Sequence, residues 1–220
     1  MRAYLRSLRP DLPRPVWILQ AGGLVNSFGN GIVLPFLIIY LHNVRDIPLG
    51  IAGLVAAANS VGALASGFVG GALGDRIGPR RVLVGALSLM TGAILLFPLI
   101  HTAWQALLLN ALLGCGSGSF WPSQSSLIAD LTPVAQRHSA FALQRVTMNL
   151  GVALGGLTGG LIATTAHPST FTILFVLDAL TFVGYIVALL RVPDRPHESA
   201  RSRGRTPTSS TTGSSSRTSR

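Results

Sequence analysis

The feature that most constrains this sequence is a set of long stretches without arginine, aspartate or glutamate. They run from Pro15 to Val44, from Ile47 to Gly74 and from Val82 to Ala129, and they contain 30, 28 and 48 residues. About 20 apolar residues in a helix cross a hydrocarbon core of ~30 Å. Each stretch is long enough to span a bilayer, so the sequence predicts an all-α, polytopic membrane protein.

Composition and charge narrow the function classes. Only 11% of the residues are charged, whereas a soluble domain carries about 25%. The net charge of +10 would favour a nucleic-acid partner on a soluble surface, but here the arginines lie between the apolar stretches and in the tail. We therefore expect the lipid bilayer, and no nucleic acid, as the partner. The single cysteine, Cys115, and the lack of catalytic motifs predict no enzyme, no cofactor and no metal site.

The apolar stretches and their short polar connections predict six transmembrane helices. Their expected bounds are residues 16–41, 49–73, 82–100, 103–129, 140–163 and 171–190. Together they form a bundle at 16–190, preceded by an N-terminal arm at 1–15 and followed by a tail at 191–220.

The arginines predict how this bundle is oriented. Nine of the ten arginines before residue 191 lie on the side that also holds both termini, and only Arg45 lies on the other side. Arginine is enriched in cytoplasmic loops. We therefore expect a protein of the cell membrane with both termini in the cytoplasm.

The tail differs from the rest of the chain. Of its 30 residues, 13 are Ser or Thr and seven are Arg. Such a composition cannot bury enough apolar surface to offset its ordering entropy, so it predicts disorder. Either the tail contacts anionic lipid, or it is a solvated segment with no role.

Small residues recur at regular spacing in the second span. Ala58, Gly62, Ser66 and Gly70 occur at every fourth position, which places them on one helix face where a neighbouring backbone can approach closely. In the first span, Pro35 lacks a backbone N–H, and we expect it to bend the helix.

The connection between the second and third spans has a distinctive order of residues. It contains Gly71, Asp75, Arg76, Gly78, Arg80 and Arg81. By chemistry alone this is a positively charged cytoplasmic hairpin in which Gly78 permits a tight turn. The order also closely resembles the GxxxDRxGRR motif of the major facilitator superfamily, although Pro79 stands where that family usually has a basic residue. The resemblance implies a charge network that stabilises one access state, with Asp130, Arg137 and Arg145 as further candidate members.

Two weaker matches agree in position. The fifth span resembles the family's GxxxGPxxGG antiporter motif, with glycines at 151, 155, 156, 159 and 160 and with Gly156 in place of the proline. By itself this is a glycine packing face. The fourth span resembles RxxQGxG, but Asn110 replaces an arginine that relatives link to proton handling. The resemblance therefore does not imply proton coupling at Asn110.

The resemblance covers the N-terminal half of a family that has two six-helix bundles, with the solute path between them. It implies transport of a small solute, of the drug-efflux or metabolite-export kind. The alternatives are a non-transporting membrane fragment and a half-size carrier that works as a homodimer. Either a second copy supplies the other half, or the chain is truncated, and the abrupt tail favours truncation, as a frameshift would produce.

Polar residues inside the predicted spans are candidates for solute contact. Asn26 and Asn30 share a helix face because they are four residues apart, and Asn110, Gln144 and Asn149 add further amides. They either line a cavity or form interhelical hydrogen bonds.

Two charged groups also fall within the spans. Asp178 lies well inside the sixth span and is either a proton site or a packing residue, since a charge there must face protein or water. Arg145 either extends to the interface or cytoplasmic charges, or binds solute.

Overall fold

The computed structural model describes residues 12–192, and the chain there is helical, with no strand in that range. Six long helices follow one another, with bounds α1 Arg14–Val33, α2 Leu49–Ile77, α3 Pro79–Leu96, α4 Ala103–Leu131, α5 Arg137–Ile162 and α6 Ser169–Leu190. The predicted all-α fold is confirmed. The predictions for residues 1–11 and for the tail beyond residue 192 lie outside the described residues.

Four helical segments are long and apolar enough to cross a membrane. They are Arg14–Val44, Leu49–Ile77, Pro79–Leu99 and Ser169–Leu190, and they make the chain a multi-pass membrane protein. The segments α4 and α5 have 29 and 26 residues but do not meet the same hydropathy criterion. Their amides and Arg145 lower the mean hydropathy.

The first helical segment changes its winding near Pro35, where the sequence predicted a bend. A 3₁₀ turn at Leu34–Phe36 interrupts the α-helix, and a π-helical turn at Tyr40–Val44 ends the segment. Proline removes one backbone hydrogen bond and crowds the preceding turn, so the tighter winding is its local consequence.

The end of this segment is held against the end of α3. The Tyr40 hydroxyl donates a hydrogen bond to the carbonyl of Phe97 at 3.2 Å. Arg45 donates from Nε to the Tyr40 hydroxyl at 2.8 Å and from Nη2 to the carbonyl of Pro98. Arg45 therefore joins two helix ends.

The connection between α2 and α3 is shorter than the sequence indicated. Instead of a loop over 74–81, α2 continues to Ile77, α3 begins at Pro79, and only Gly78 lies between them. Gly78 has φ +92°, a conformation that glycine adopts without a steric penalty. Proline at the first position of α3 fits because its fixed φ suits a helix start. Asp75 and Arg76 therefore lie on the last turn of α2.

The helices pack in an arc in the spatial order α2, α4, α3, α6, α1 and α5. Neighbours in this order share the extensive interfaces, whereas α4 touches α1 and α5 at few points. Space therefore remains on the inner side of the arc, and α2 and α5 form its two ends.

Glycines allow α1 and α5 to pack backbone against backbone. Gly151, Gly155 and Gly159 are buried against carbonyl groups of α1, whereas Gly156 and Gly160 make only ordinary contacts. The antiporter-like motif thus contains one packing row at every fourth residue and a second, looser row.

The second seam joins α2 and α4. Gly62 lies against the carbonyl of Ala111, and Gly114 lies against the carbonyl of Asn59. Gly70 closely faces Ser119. The close packing that the small residues of the second span predicted is confirmed at these positions.

Candidate functional site

The inner side of the arc contains a cavity of about 500 Å³. Residues of all six helices line it, and most of its wall is apolar, including Met90, Leu113, Phe120, Trp121 and Phe182. A volume of this size, with few polar groups among apolar ones, is typical of small-molecule sites.

The cavity occupies one half of the bundle. Along the first helical segment, Arg14–Val44, it extends from Asn26 to Ile38, and on α2 it contacts Ala56 and Asn59. These positions lie toward the α1–α2 connection, which the sequence predicts to be outside the cell. The cavity is therefore on the side away from Gly78.

Most of the predicted cavity residues are brought together. Asn26, Asn30, Asn110 and Asp178 all line the cavity. Gln144 lies beyond its closed end, next to a much smaller space. Asn149 is exposed on α5 and is not among the described residues of the cavity wall.

Asn110 forms an interhelical hydrogen bond while lining the cavity. Its Nδ2 donates to the carbonyl of Val55 at 2.6 Å, and Nδ2 of Asn59 donates back to the carbonyl of Asn110 at 3.2 Å. The two amides therefore join α2 and α4. Asn59 is a cavity residue that the sequence patterns did not indicate, although it is the only amide in the second predicted span.

The two asparagines of α1 have different environments. Asn30 donates from Nδ2 to the carbonyl of Asn26 at 3.1 Å. Asn26 is only 5% exposed, and its Oδ1 accepts no hydrogen bond from the described residues. A buried acceptor without a donor is uncommon in folded proteins, so a donor for this oxygen must come from outside the described residues.

Asp178 is buried where α6 crosses α1. It is 3% exposed, and its Oδ1 lies directly against Gly29 of α1. The Thr181 hydroxyl, one turn further along α6, is 2.7 Å from the Asp178 carbonyl and 3.4 Å from Oδ1. Any side chain at position 29 would overlap the carboxylate.

An amide cluster, consisting of Gln20, Gln124, Gln144, Thr147 and Tyr185, fills the bundle on the other side of Asn26. Gln144 donates from Nε2 to Oε1 of Gln124, and Gln124 donates from Nε2 to the Tyr185 hydroxyl, each at 2.9 Å. Gln20 donates to the carbonyl of Ala140 at 3.0 Å and accepts from Thr147 at 3.4 Å. The cluster joins α1, α4, α5 and α6 and closes this end of the cavity.

The predicted charge network lies at the same end of the bundle as Gly78. Asp75 and Arg76 are exposed, and so is Arg81 at the start of α3. Arg80 donates from Nη2 to the carbonyl of Leu190 at 3.1 Å, which satisfies a terminal carbonyl of α6 and places a cation at its negative end.

The remaining candidates of the network lie on α4 and α5. Asp130 is exposed on the last turn of α4, and Arg145 is exposed on α5. Arg137 is half-buried and donates from Nε to the carbonyl of Thr132 at 3.5 Å. None of these groups is among the described residues that line the cavity.

Sequence comparison identifies the family. Residues 20–219 match the family model described as the Major Facilitator Superfamily, and this is most of the chain. The chain belongs to the major facilitator superfamily. The resemblance that the connection at Gly78 indicated is thereby confirmed.

Several curated relatives match this major facilitator chain over less than half of their own length. The uncharacterized MFS-type transporter YttB of Bacillus subtilis is 30% identical over 78% of this chain and 42% of that protein. A Na(+), Li(+), K(+)/H(+) antiporter of Planococcus maritimus is 31% identical over 69% of this chain and 37% of that protein. The quinolone resistance protein NorA of Staphylococcus aureus is 27% identical over 80% and 45%, respectively.

A solved structure has the same fold. A crystal structure of the peptide transporter POT in complex with sulfate aligns with a TM-score of 0.67 and 24% identity. The alignment covers 81% of this chain and 37% of that protein. This likeness concerns the arrangement of the helices alone.

Proposed function

We propose that this chain forms one bundle of a secondary transporter that moves a small solute by alternating access. The observation that carries the proposal is the cavity of about 500 Å³ at the centre of the helical arc. Family membership and the names of relatives, which include an antiporter and a drug-resistance protein, support transport rather than catalysis.

All six helices cross the cell membrane in this proposal. Four meet the length and hydropathy criterion, and α4 and α5 are of comparable length and pack between or beside them. Asn110 of α4 faces the cavity, and Gln124 of α4 and Gln144 of α5 belong to the amide cluster, so part of their lower hydropathy comes from residues inside the bundle. Both termini are cytoplasmic because the arginines concentrate on that side.

Alternating access explains why the cavity is asymmetric. The wide half extends toward the proposed outer side, and the amide cluster closes the inner half. Inward access then requires the contacts of Gln124 and Gln144 to separate. A second bundle, from a longer chain or from a second copy, supplies the opposing wall, since one wall must move against another. It also covers polar groups such as Asn30 that would otherwise face lipid.

A cavity-filling substitution tests the proposal. Asn30→Trp places a large ring in the cavity, and we expect it to reduce proteoliposome uptake of a fluorescent amine, dansylcadaverine, to the level of protein-free liposomes. Asn149→Trp is the matched control, because Asn149 is exposed on α5 outside the cavity wall. It should retain the uptake of the unmodified protein.

Equal loss of uptake in both variants would count against transport through this cavity. Uptake is compared between liposomes that hold single chains and those that hold crosslinked dimers. Flux only from dimers identifies a half-size carrier, and flux from single chains contradicts the need for a second bundle.

The charge network is part of the same proposal. Asp75 lies on the last turn of α2, and Arg80 lies on the first turn of α3 and donates to the carbonyl of Leu190 at the end of α6, so a network between Asp75 and Arg80 would join the ends of three helices. If the network stabilises the outward-open state by about 1 kcal/mol, Asp75→Asn should shift access toward the inner side. The rate at which a membrane-impermeant thiol reagent on the outer side labels a cysteine at position 30, with Cys115 changed to serine, should then fall by about two- to tenfold. An unchanged rate in the folded variant would contradict the network.

A further inference from the structure

The cavity contains a carboxylate with no countercharge in its wall. Asp178 lines the cavity and is 3% exposed, and none of the described residues that line the same cavity is basic. A charge at this depth in a membrane helix is unfavourable unless a partner compensates it. The hydroxyl of Thr181 on its own helix is a weak partner at 3.4 Å.

A second acceptor without a donor lies close by on α1. The Oδ1 atom of Asn26 is buried and accepts no hydrogen bond from the described residues. Asp178 contacts α1 at Gly29, which is on the same helix face as Asn26 because the two are three residues apart. Asp178 and Asn26 both line the cavity, and the point where Asp178 meets α1 is therefore about one helical turn from Asn26.

We propose that Asp178 and Asn26 form a subsite for the ammonium group of the solute, so that the transported molecule is an organic monocation. This inference rests on the proposed transport function, because it assigns the charge of the solute. An ammonium supplies one positive charge and several N–H donors, and both acceptors require donors.

The rest of the wall favours an organic cation over a bare metal ion. A hard metal cation favours several charged oxygen ligands around it, whereas Asp178 is the one carboxylate among the described residues of the wall, which also contains the aromatic side chains of Phe120, Trp121 and Phe182. These rings suit an apolar body and can attract a cation through their faces. A single carboxylate also matches a single charge.

The test uses two probes that differ in charge. Dansylcadaverine carries a primary ammonium, and its N-acetyl derivative is neutral with the same fluorophore. We expect the full chain in nanodiscs to bind the amine roughly tenfold or more tightly than the acetylated probe, the range of a charge-assisted hydrogen bond. Asp178→Asn should bring the two affinities together.

Two further variants make the result specific. Asp46→Asn makes the same charge change at an exposed position in the α1–α2 connection, and it should keep the full preference. Asn26→Leu removes only the second acceptor and should reduce the preference several-fold, so the inference remains testable if Asp178→Asn does not fold.

Equal binding of both probes by the unmodified protein, or a preference retained in folded Asp178→Asn, overturns the subsite. If sodium displaces the amine and choline at the same concentration does not, the site binds an inorganic cation, and the ammonium subsite is overturned. Uptake of the acetylated probe at the same rate as the amine leaves transport intact without the subsite. Asp178-dependent binding without uptake leaves the subsite intact without transport.

Discussion

Gly155→Ala is expected to lower the free energy of unfolding by about 1–3 kcal/mol, the usual effect of overpacking a tight interface. A Cβ at this position would lie 2.9 Å from the Cα of Gly31 and 3.0 Å from the backbone N of Ile32. Both atoms belong to the backbone of α1, so the helices must move apart. Every contact along the seam between α1 and α5 is then weakened.

The neighbouring glycine provides the control. A Cβ at Gly156 would lie 3.9 Å from the carbonyl oxygen of Gly31, an ordinary contact, and alanine favours helix over glycine by up to about 1 kcal/mol. Gly156→Ala should therefore be neutral or stabilising. Both variants are compared by loss of helicity during denaturation in mixed micelles, and equal destabilisation would contradict the packing row at residues 151, 155 and 159.

The second expected result is a nearly all-or-none difference in reporter activity between fusions on the two sides of the membrane. A periplasmic reporter such as alkaline phosphatase should be active when fused after residue 45 and inactive when fused after residue 81. A cytoplasmic fluorescent reporter should give the opposite pattern. The physical reason is that nine of the ten arginines before residue 191 lie on the side of residue 81, and translocating arginines is unfavourable.

A thiol-labelling measurement on intact cells checks the fusions independently. With Cys115 changed to serine, a cysteine at His101 should react with a membrane-impermeant reagent, and a cysteine at Arg81 should react only after the cells are opened. Both positions are exposed in the structure, so burial does not explain a difference. Labelling of Arg81→Cys in intact cells would overturn the orientation and the six-span arrangement.

The number and approximate bounds of the helices could be predicted from the sequence because a bilayer imposes a simple length rule. The third predicted span, 82–100, corresponds to helical residues Pro79–Leu99, and the fourth, 103–129, to Ala103–Leu131. The error at the α2–α3 connection has a specific cause. Charged residues such as Asp75 and Arg76 mark the end of the membrane-spanning stretch. The helix itself continues past the membrane boundary until Gly78 ends it.

For the polar residues, the sequence could predict the helix face that they share but not what that face contacts. The spacing of Asn26 and Asn30 placed them on one face, and both line the cavity. The amide composition of the fifth span could not separate Gln144, in the amide cluster, from Asn149, which is exposed. Five residues correspond to about 500° of helical rotation, so the two face different directions, and only the position of the neighbouring helices decides what each direction contains.

The sequence by itself determined the family, the helical class and the predicted orientation, because apolar length, arginine placement and the motif around Gly78 are local properties of the chain. The tertiary structure decided that α1 packs on α5 and α2 on α4, which glycines face a backbone, and that Asp178 meets α1 at Gly29 beside Asn26. These facts depend on contacts between residues distant in the chain. They follow from how six helices pack together, which no local pattern specifies.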